Sequence, residues 1–193
     1  MTRLPLIPTV LVAGAIGIMI ALGIWQLGRA DEKEALIARY LDAARSESAV
    51  PFPRTPAEIE DALYRRSSFS CDEVVSQTSK AARNANGRSG VGQVATCTDG
   101  QSEVETVLGW AVRPDIVKFE GGEITGWLAP LGDGVQLVAD PPLAGLDQVA
   151  RPDPEDTPNN HLAYAGQWFF FALTALVIYI LALRKRGGRR RQD

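Results

Sequence analysis

Two stretches of the chain are apolar without interruption, and the sequence between them alternates. Residues 7–27 form a run of 21 without a charged side chain, and residues 164–183 form a second run of 20. About 20 apolar residues in a helix span the ~30 Å hydrocarbon layer of a bilayer. Each run is therefore read as a transmembrane helix. The first is longer than the ~7–15-residue core of a secretory signal, and Gly28-Arg29-Ala30 makes a poor cleavage site, so an uncleaved anchor is expected. Between the runs the period changes twice. Residues 31–46 carry Leu36, Ile37, Tyr40, Leu41 and Ala44 at helical spacing, with Asp31 and Glu34 as a capping signature and Pro51-Phe52-Pro53 as a stop. That stripe is expected to pack on the region between the spans. Thr55-Pro56-Ala57-Glu58 opens a second short helix over residues 56–63: a cap, proline in the first turn, and Glu three residues after the cap. From Tyr64 onward short β-type segments follow at residues 65–77, 90–98, 101–111, 115–119, 123–130 and 134–139. Asp99-Gly100 reads as a two-residue hairpin turn, and Glu120-Gly121-Gly122 and Gly132-Asp133-Gly134 as further turns. Residues 151–158 are a proline-rich acidic tether. The fold class is thus α+β: two transmembrane helices flanking a mostly antiparallel β domain, which could curl into an open barrel, with one or two short helices. The boundaries are residues 1–6 for a first tip, 7–27 for a span, 28–163 for the outer domain, 164–183 for a span and 184–193 for a basic tail.

Charge orients this plan. Arg184, Lys185, Arg186, Arg189, Arg190 and Arg191 follow the second run, and Arg3 with the α-amine precedes the first. The positive-inside rule places both tips in the cytoplasm and the central domain across the membrane. The whole chain carries a formal charge of −3, but residues 28–163 hold 13 Lys+Arg against 22 Asp+Glu, a net of −9. An acidic outer domain argues against nucleic acid as a partner, and a basic tail directly after an apolar run is a lipid-headgroup anchor.

The residue inventory argues against an enzyme. The one histidine, His161, has no serine or cysteine near it in sequence, and no glycine-rich phosphate loop follows a strand. A dedicated copper site would want clustered Cys, Met or His, and the chain has two methionines, both within the first 19 residues. Cys71 and Cys97 are both in the outer domain. Their midpoint, residue 84, falls in the turn-rich Arg83-Asn84-Ala85-Asn86-Gly87, so a hairpin there would set them opposite each other. In an oxidising compartment they are a disulfide candidate; two buried free thiols are the alternative. Their spacing is not that of a redox dithiol.

The membrane segments carry more signal. Ala13, Gly17, Ala21 and Trp25 recur every fourth residue, and Ala165, Gly166, Ala172 and Ala175 are small positions on the second run, so close pairing of the two helices is expected through these stripes. On a helix His161, Tyr164 or Ala165, and Trp168 share one face. Trp25, Trp168 and His161 would then gather at the outer membrane surface. An imidazole there is a candidate ligand for a metal or a haem iron, and Arg29 a candidate partner for a propionate. The alternatives are an interfacial aromatic belt for the tryptophans and a polar interfacial cap for His161.

Gly23-Ile24-Trp25-Gln26-Leu27-Gly28-Arg29 resembles the G-x-W-Q-x-x-R signature of the surfeit locus protein 1 family. Asn159-Asn160-His161-Leu162-Ala163-Tyr164-Ala165-Gly166-Gln167-Trp168-Phe169 resembles that family's N-x-H-x-x-Y-A-x-Q-W-F signature. Tyr64-Arg65-Arg66, Gly109-Trp110 and Gly126-Trp127-Leu128 resemble its weaker strand motifs. Gly109-Trp110 departs from the pattern in its flanks, with Val107-Leu108 before it and Ala111 after it, and the cysteine pair is outside the pattern.

The resemblance implies a non-enzymatic assembly factor for cytochrome c oxidase. Short basic tips suggest a bacterial member, in the inner membrane with its central domain in the periplasm and both termini cytoplasmic. Its implied cofactor is haem a, held transiently, with His161 as the axial ligand of the haem iron and Trp168 at the same site. Trp25 and Arg29 complete the cofactor-binding residues on the reading of the spans above. The implied partners are the cytochrome c oxidase core subunit, which receives the haem, a haem a synthase and the membrane. The competing readings are a haem-free scaffold that binds oxidase subunits or haem synthase, and a periplasmic thiol protein built on Cys71 and Cys97.

Overall fold

A computed structural model describes residues 5–189. Arg3, the α-amine, Arg190 and Arg191 lie outside the described residues, and so do the side chains of Arg186 and Arg189. The chain forms two compact units. One takes the chain up to Leu36 and again from Pro158; the other is Ile37–Thr157.

The first unit is a pair of helices. Helix α1 (Leu6–Arg45) is 40 residues long, and a second long helix, α3 (His161–Arg189), is 29. Both are long and apolar enough to cross a membrane. One expectation changes here. The segment 31–46 is not a separate helix: α1 continues through Gly28-Arg29-Ala30. No proline falls between residues 9 and 45, and Arg29 forms an ion pair with Glu32 one turn ahead, so Asp31 and Glu34 have no helix start to cap. Helix α1 then ends at Arg45, ahead of Pro51. Helix α3 begins at His161, three residues before the apolar run, with the Asn160 carbonyl accepting the first helical bond from Tyr164 at 3.1 Å.

The second unit is a six-stranded sheet. It is entered through the last turns of α1, where Ile37, Leu41 and Ala44 are half-buried and Tyr40 is buried, as their spacing predicts. The Tyr40 ring packs on Tyr64 at 5.1 Å between centroids. Helix α2 (Pro56–Ala62) has the capping box that Thr55 and Glu58 predict, with each side chain satisfying the other's backbone N–H. The strands are β1 (Arg66–Cys71), β2 (Glu73–Arg83), β3 (Ser89–Thr98), β4 (Glu103–Ala111), β5 (Gly122–Leu131) and β6 (Gly134–Ala139). Their order is β1-β5-β6-β4-β3-β2, and every pair is antiparallel except β4 with β6. One core cluster includes Phe69, Leu108, Ile124, Leu128 and Leu137. A smaller one gathers Trp110, Ala129, Val138 and Val149.

The strand pattern holds with three corrections. The segment 65–77 breaks at Asp72, whose N–H turns to the Thr98 carbonyl at 3.0 Å, and the second piece runs on to Arg83. Residues 115–119 form no strand. Their backbone is held by the Gln77 side chain instead, which donates to the Val117 carbonyl at 3.0 Å and accepts from the Phe119 N–H at 3.4 Å. The Asp99-Gly100 turn is four residues long, because Thr98 pairs with Glu103. The Asp99 carboxylate accepts from the N–H groups of Gln101 and Ser102, both at 3.0 Å, and closes the wider loop. The tether at residues 151–158 contains one short turn, Pro154–Asp156.

Cys71 and Cys97 are joined in a disulfide. The pairing expected from the sequence is correct, but the geometry behind it is not. The β2–β3 hairpin places Val74, not Cys71, opposite Cys97. Cys71 ends β1, an edge strand whose sheet partner is β5. The bond therefore ties β1 to β3 across the curl of the sheet. With both sulfurs oxidised and fully buried, neither offers a free thiol.

Candidate functional site at the end of the helix pair

The two long helices meet along a seam of alternating four- and three-residue steps. On α1 the covered positions include Val12, Ile16, Met19, Gly23, Gln26 and Ala30; on α3 they include His161, Ala165, Trp168, Ala172, Ala175 and Tyr179. A 3.5-residue repeat is the pattern by which two helices stay in register along a shared face. The contacts run antiparallel. Thr9 hydrogen-bonds Tyr179 at one end, and Gln26 meets His161 near the other. Gly23 lets α3 approach closely: a Cβ there would lie 2.6 Å from the Phe169 ring.

The structure thus corrects the expected packing stripe on α1. Ala13, Gly17, Ala21 and Trp25 are exposed, and nothing lies within 4 Å of a Cβ built at Gly17. Small residues at every fourth position define a face, but not which neighbour covers it. On α3 the expectation holds for Ala165, Ala172 and Ala175, whereas Gly166 is exposed.

At the seam's end the two terminal signatures touch. His161 Nδ1 lies 2.7 Å from Gln26 Oε1, and both residues are half-buried. A carboxamide oxygen only accepts, so the ring donates from Nδ1. In the neutral imidazole Nε2 then carries the lone pair, the atom that a metal takes. Asn159, just ahead of α3, donates from its amide to the Ala30 carbonyl at 3.3 Å, and its own side-chain oxygen is buried without a partner. Trp168 is half-buried two turns along α3 on the same face as His161, and its indole stands edge-on to Phe171.

His161, Trp168 and Gln26 therefore lie along one seam. Trp25 and Arg29 do not join them: Trp25 is 56% exposed on the open face of α1, and Arg29 is exposed and paired with Glu32. The donor chemistry fits a single axial ligand to a haem iron, through Nε2. A propionate partner would need Arg29 to leave Glu32. Among the described residues no group of three or more His, Cys, Asp or Glu could hold a metal ion. Gln26 escaped the sequence reading, although it sits inside the quoted signature beside Trp25; no spacing rule links it to a histidine 135 residues away.

The interior motifs also converge. Arg66 and Trp127 are register partners on β1 and β5. Asp140 accepts from Arg66 Nη1 at 3.1 Å and from the Trp127 indole at 2.9 Å. The guanidinium of Arg66 stacks on Trp127, and so does that of Arg151, which also donates to the Ala44 carbonyl in the last turn of α1. Trp110 is buried against the sheet, and its backbone exchanges both hydrogen bonds with Asp147. These contacts are structural anchors within the sheet unit.

No curated protein matches the chain. The model of the SURF1 family matches residues 13–173, from the first apolar helix through the sheet into the second. The chain belongs to the SURF1 family, a membership that implies a part in cytochrome c oxidase assembly.

Proposed function

We propose that this protein is a non-enzymatic assembly factor that holds haem a at the outer face of the bacterial inner membrane and assists its insertion into the oxidase core subunit. His161 is the axial ligand and Trp168 an aromatic wall of the same site. The observation that supports this reading best is the hydrogen bond from His161 Nδ1 to Gln26, which leaves Nε2 as the free ligating nitrogen. A haem a bound there would supply an iron that one imidazole can ligate, and His161 would hold it. One histidine suits a carrier, since a second protein ligand would oppose release. On this proposal α1 and α3 span the membrane, the sheet unit lies in the periplasm, and both termini are cytoplasmic, with Arg184 and Lys185 at the inner surface. The oxidase core subunit and a haem a synthase are the proposed partners.

An absorption spectrum of the full-length protein in detergent, co-produced with the haem a synthesis pathway, tests this reading beside His161→Ala. A stoichiometric haem a spectrum that is lost or shifted in the variant supports it. Absence of haem from a well-folded wild type overturns it.

A second reading has its own observation. The face of α1 with Ala13, Gly17 and Ala21 is exposed and small enough for another helix to approach. That face suits a haem-free scaffold for an oxidase subunit or haem synthase. An assembled, haem-replete oxidase in a His161→Ala background would favour it.

A further inference from the structure

The geometry points to Gln26 as the residue that positions the ligand: its amide oxygen holds His161 in the Nδ1–H tautomer and so presents Nε2 to the haem iron. The inference rests on the haem reading above. Three observations carry it. The contact, 2.7 Å between His161 Nδ1 and Gln26 Oε1, joins the two helices at the end of their seam. Gln26 is half-buried at a seam position one turn from Gly23, whose missing side chain admits α3. His161 is the first residue of α3, so its ring lacks a preceding helical turn to pack against, and Gln26 is its one hydrogen-bonding partner among the described residues.

A ligating histidine generally donates its other ring N–H to an oxygen that fixes the ring's tautomer and orientation. When that oxygen is a carboxylate, it also raises the ligand's basicity. An amide oxygen orients the ring without adding a negative charge. Gln26 thus sets direction while leaving the iron–nitrogen bond weak enough to exchange, which a transient carrier needs.

Because the protein has a single histidine, its imidazole is observable without interference. The experiment uses full-length protein in detergent, purified through a histidine-free tag and labelled with 15N-histidine. Wild type, Gln26→Leu and Gln26→Glu are compared. Nitrogen spectra without haem, recorded at a pH where the imidazole is neutral, report the tautomer. Transfer of bound haem a to apomyoglobin reports retention.

Wild type and Gln26→Glu are expected to show the Nδ1–H form, and Gln26→Leu to lose it. Gln26→Leu should hold haem about 10- to 100-fold less well, the usual cost of removing such a partner. Gln26→Glu should retain it at least as well as wild type and release it more slowly. A wild-type Nε2–H tautomer overturns the inference. So does haem that is bound through His161 but retained equally by Gln26→Leu. Absence of haem from wild type is a different failure: it overturns the haem reading itself.

Discussion

The helix pair and the sheet unit distribute their apolar residues in opposite ways. In the sheet unit the large side chains point inward: Trp110 is 2% exposed, and Leu108, Ile124, Leu128 and Leu137 are fully buried. Only Val75, Val112 and Ile116 are exposed large hydrophobics there, among the described residues. In the helix pair the outside is apolar, as at Ile18, Ile24, Phe170 and Ile178, while small and polar residues fill part of the seam. The difference follows from the solvent each unit meets. Water drives apolar surface inward. Lipid offers no such drive, so helices associate through close packing at small residues and through polar contacts such as Thr9 with Tyr179. Packing defects and lost cross-links are therefore expected to cost the sheet most.

The disulfide gives the largest test. Replacing Cys71 and Cys97 together by serine should lower the stability of the sheet unit by about 2–4 kcal/mol. Denaturant unfolding of the full-length protein, followed by tryptophan fluorescence, measures this. The far-ultraviolet helical signal from α1 and α3 should outlast the sheet transition. Loss of both signals together would show that the two regions are not separately stabilised.

Paired glycine substitutions sharpen the contrast. At Gly126 an added Cβ would collide with the Val138 carbonyl, a backbone atom of the neighbouring strand. Gly126→Ala should cost about 1–3 kcal/mol or more, as overpacking does. At Gly17 the added methyl meets nothing within 4 Å, and Gly17→Ala should not destabilise and should gain up to about 1 kcal/mol, since a helix interior favours Ala over Gly. Thermal melts of the two variants in the same detergent decide the matter. Equal shifts would mean that the exposed face of α1 is covered in the working protein.

The smallest effect is expected from pH. The Arg54 guanidinium and the N–H groups of Gln101 and Ser102 hold the Asp99 carboxyl well below the usual carboxylate range. A carboxylate whose pKa is lower folded than unfolded stabilises the fold above its unfolded value, about 3.9, and loses that contribution as pH falls toward the folded one. Stability should therefore decline with acid, and Asp99→Asn should flatten part of the decline. Urea midpoints between neutral pH and pH 3 read the slope; identical slopes would remove Asp99 from the account.

Much of this organisation was legible in the sequence. The apolar runs, the Thr55 capping box and most strands follow from period and local chemistry, because each is decided within a few residues. The break at Asp72 was not legible, since both sides of it alternate like one strand. Nor was the continuity of α1, because Asp31 and Glu34 look the same inside a helix as at its start. For the candidate site, His161 and Trp168 share a face by their spacing alone. That Trp25 and Arg29 stand apart from them depends on how α1 is rotated about its axis, which α3 decides.

The sequence by itself determined which segments are apolar, where most of the strands lie, the Thr55 cap, and which family signatures the chain carries. These are local properties, written in neighbouring residues. Tertiary structure decided what each buried face meets: Cys71 on β1 with Cys97 on β3, Arg66 beside Trp127, and Gln26 against His161. A periodic pattern states that a face is covered and leaves its cover unnamed. The cover is chosen by packing among elements far apart in the chain, and here that choice set the one histidine against a glutamine at the end of the helix pair.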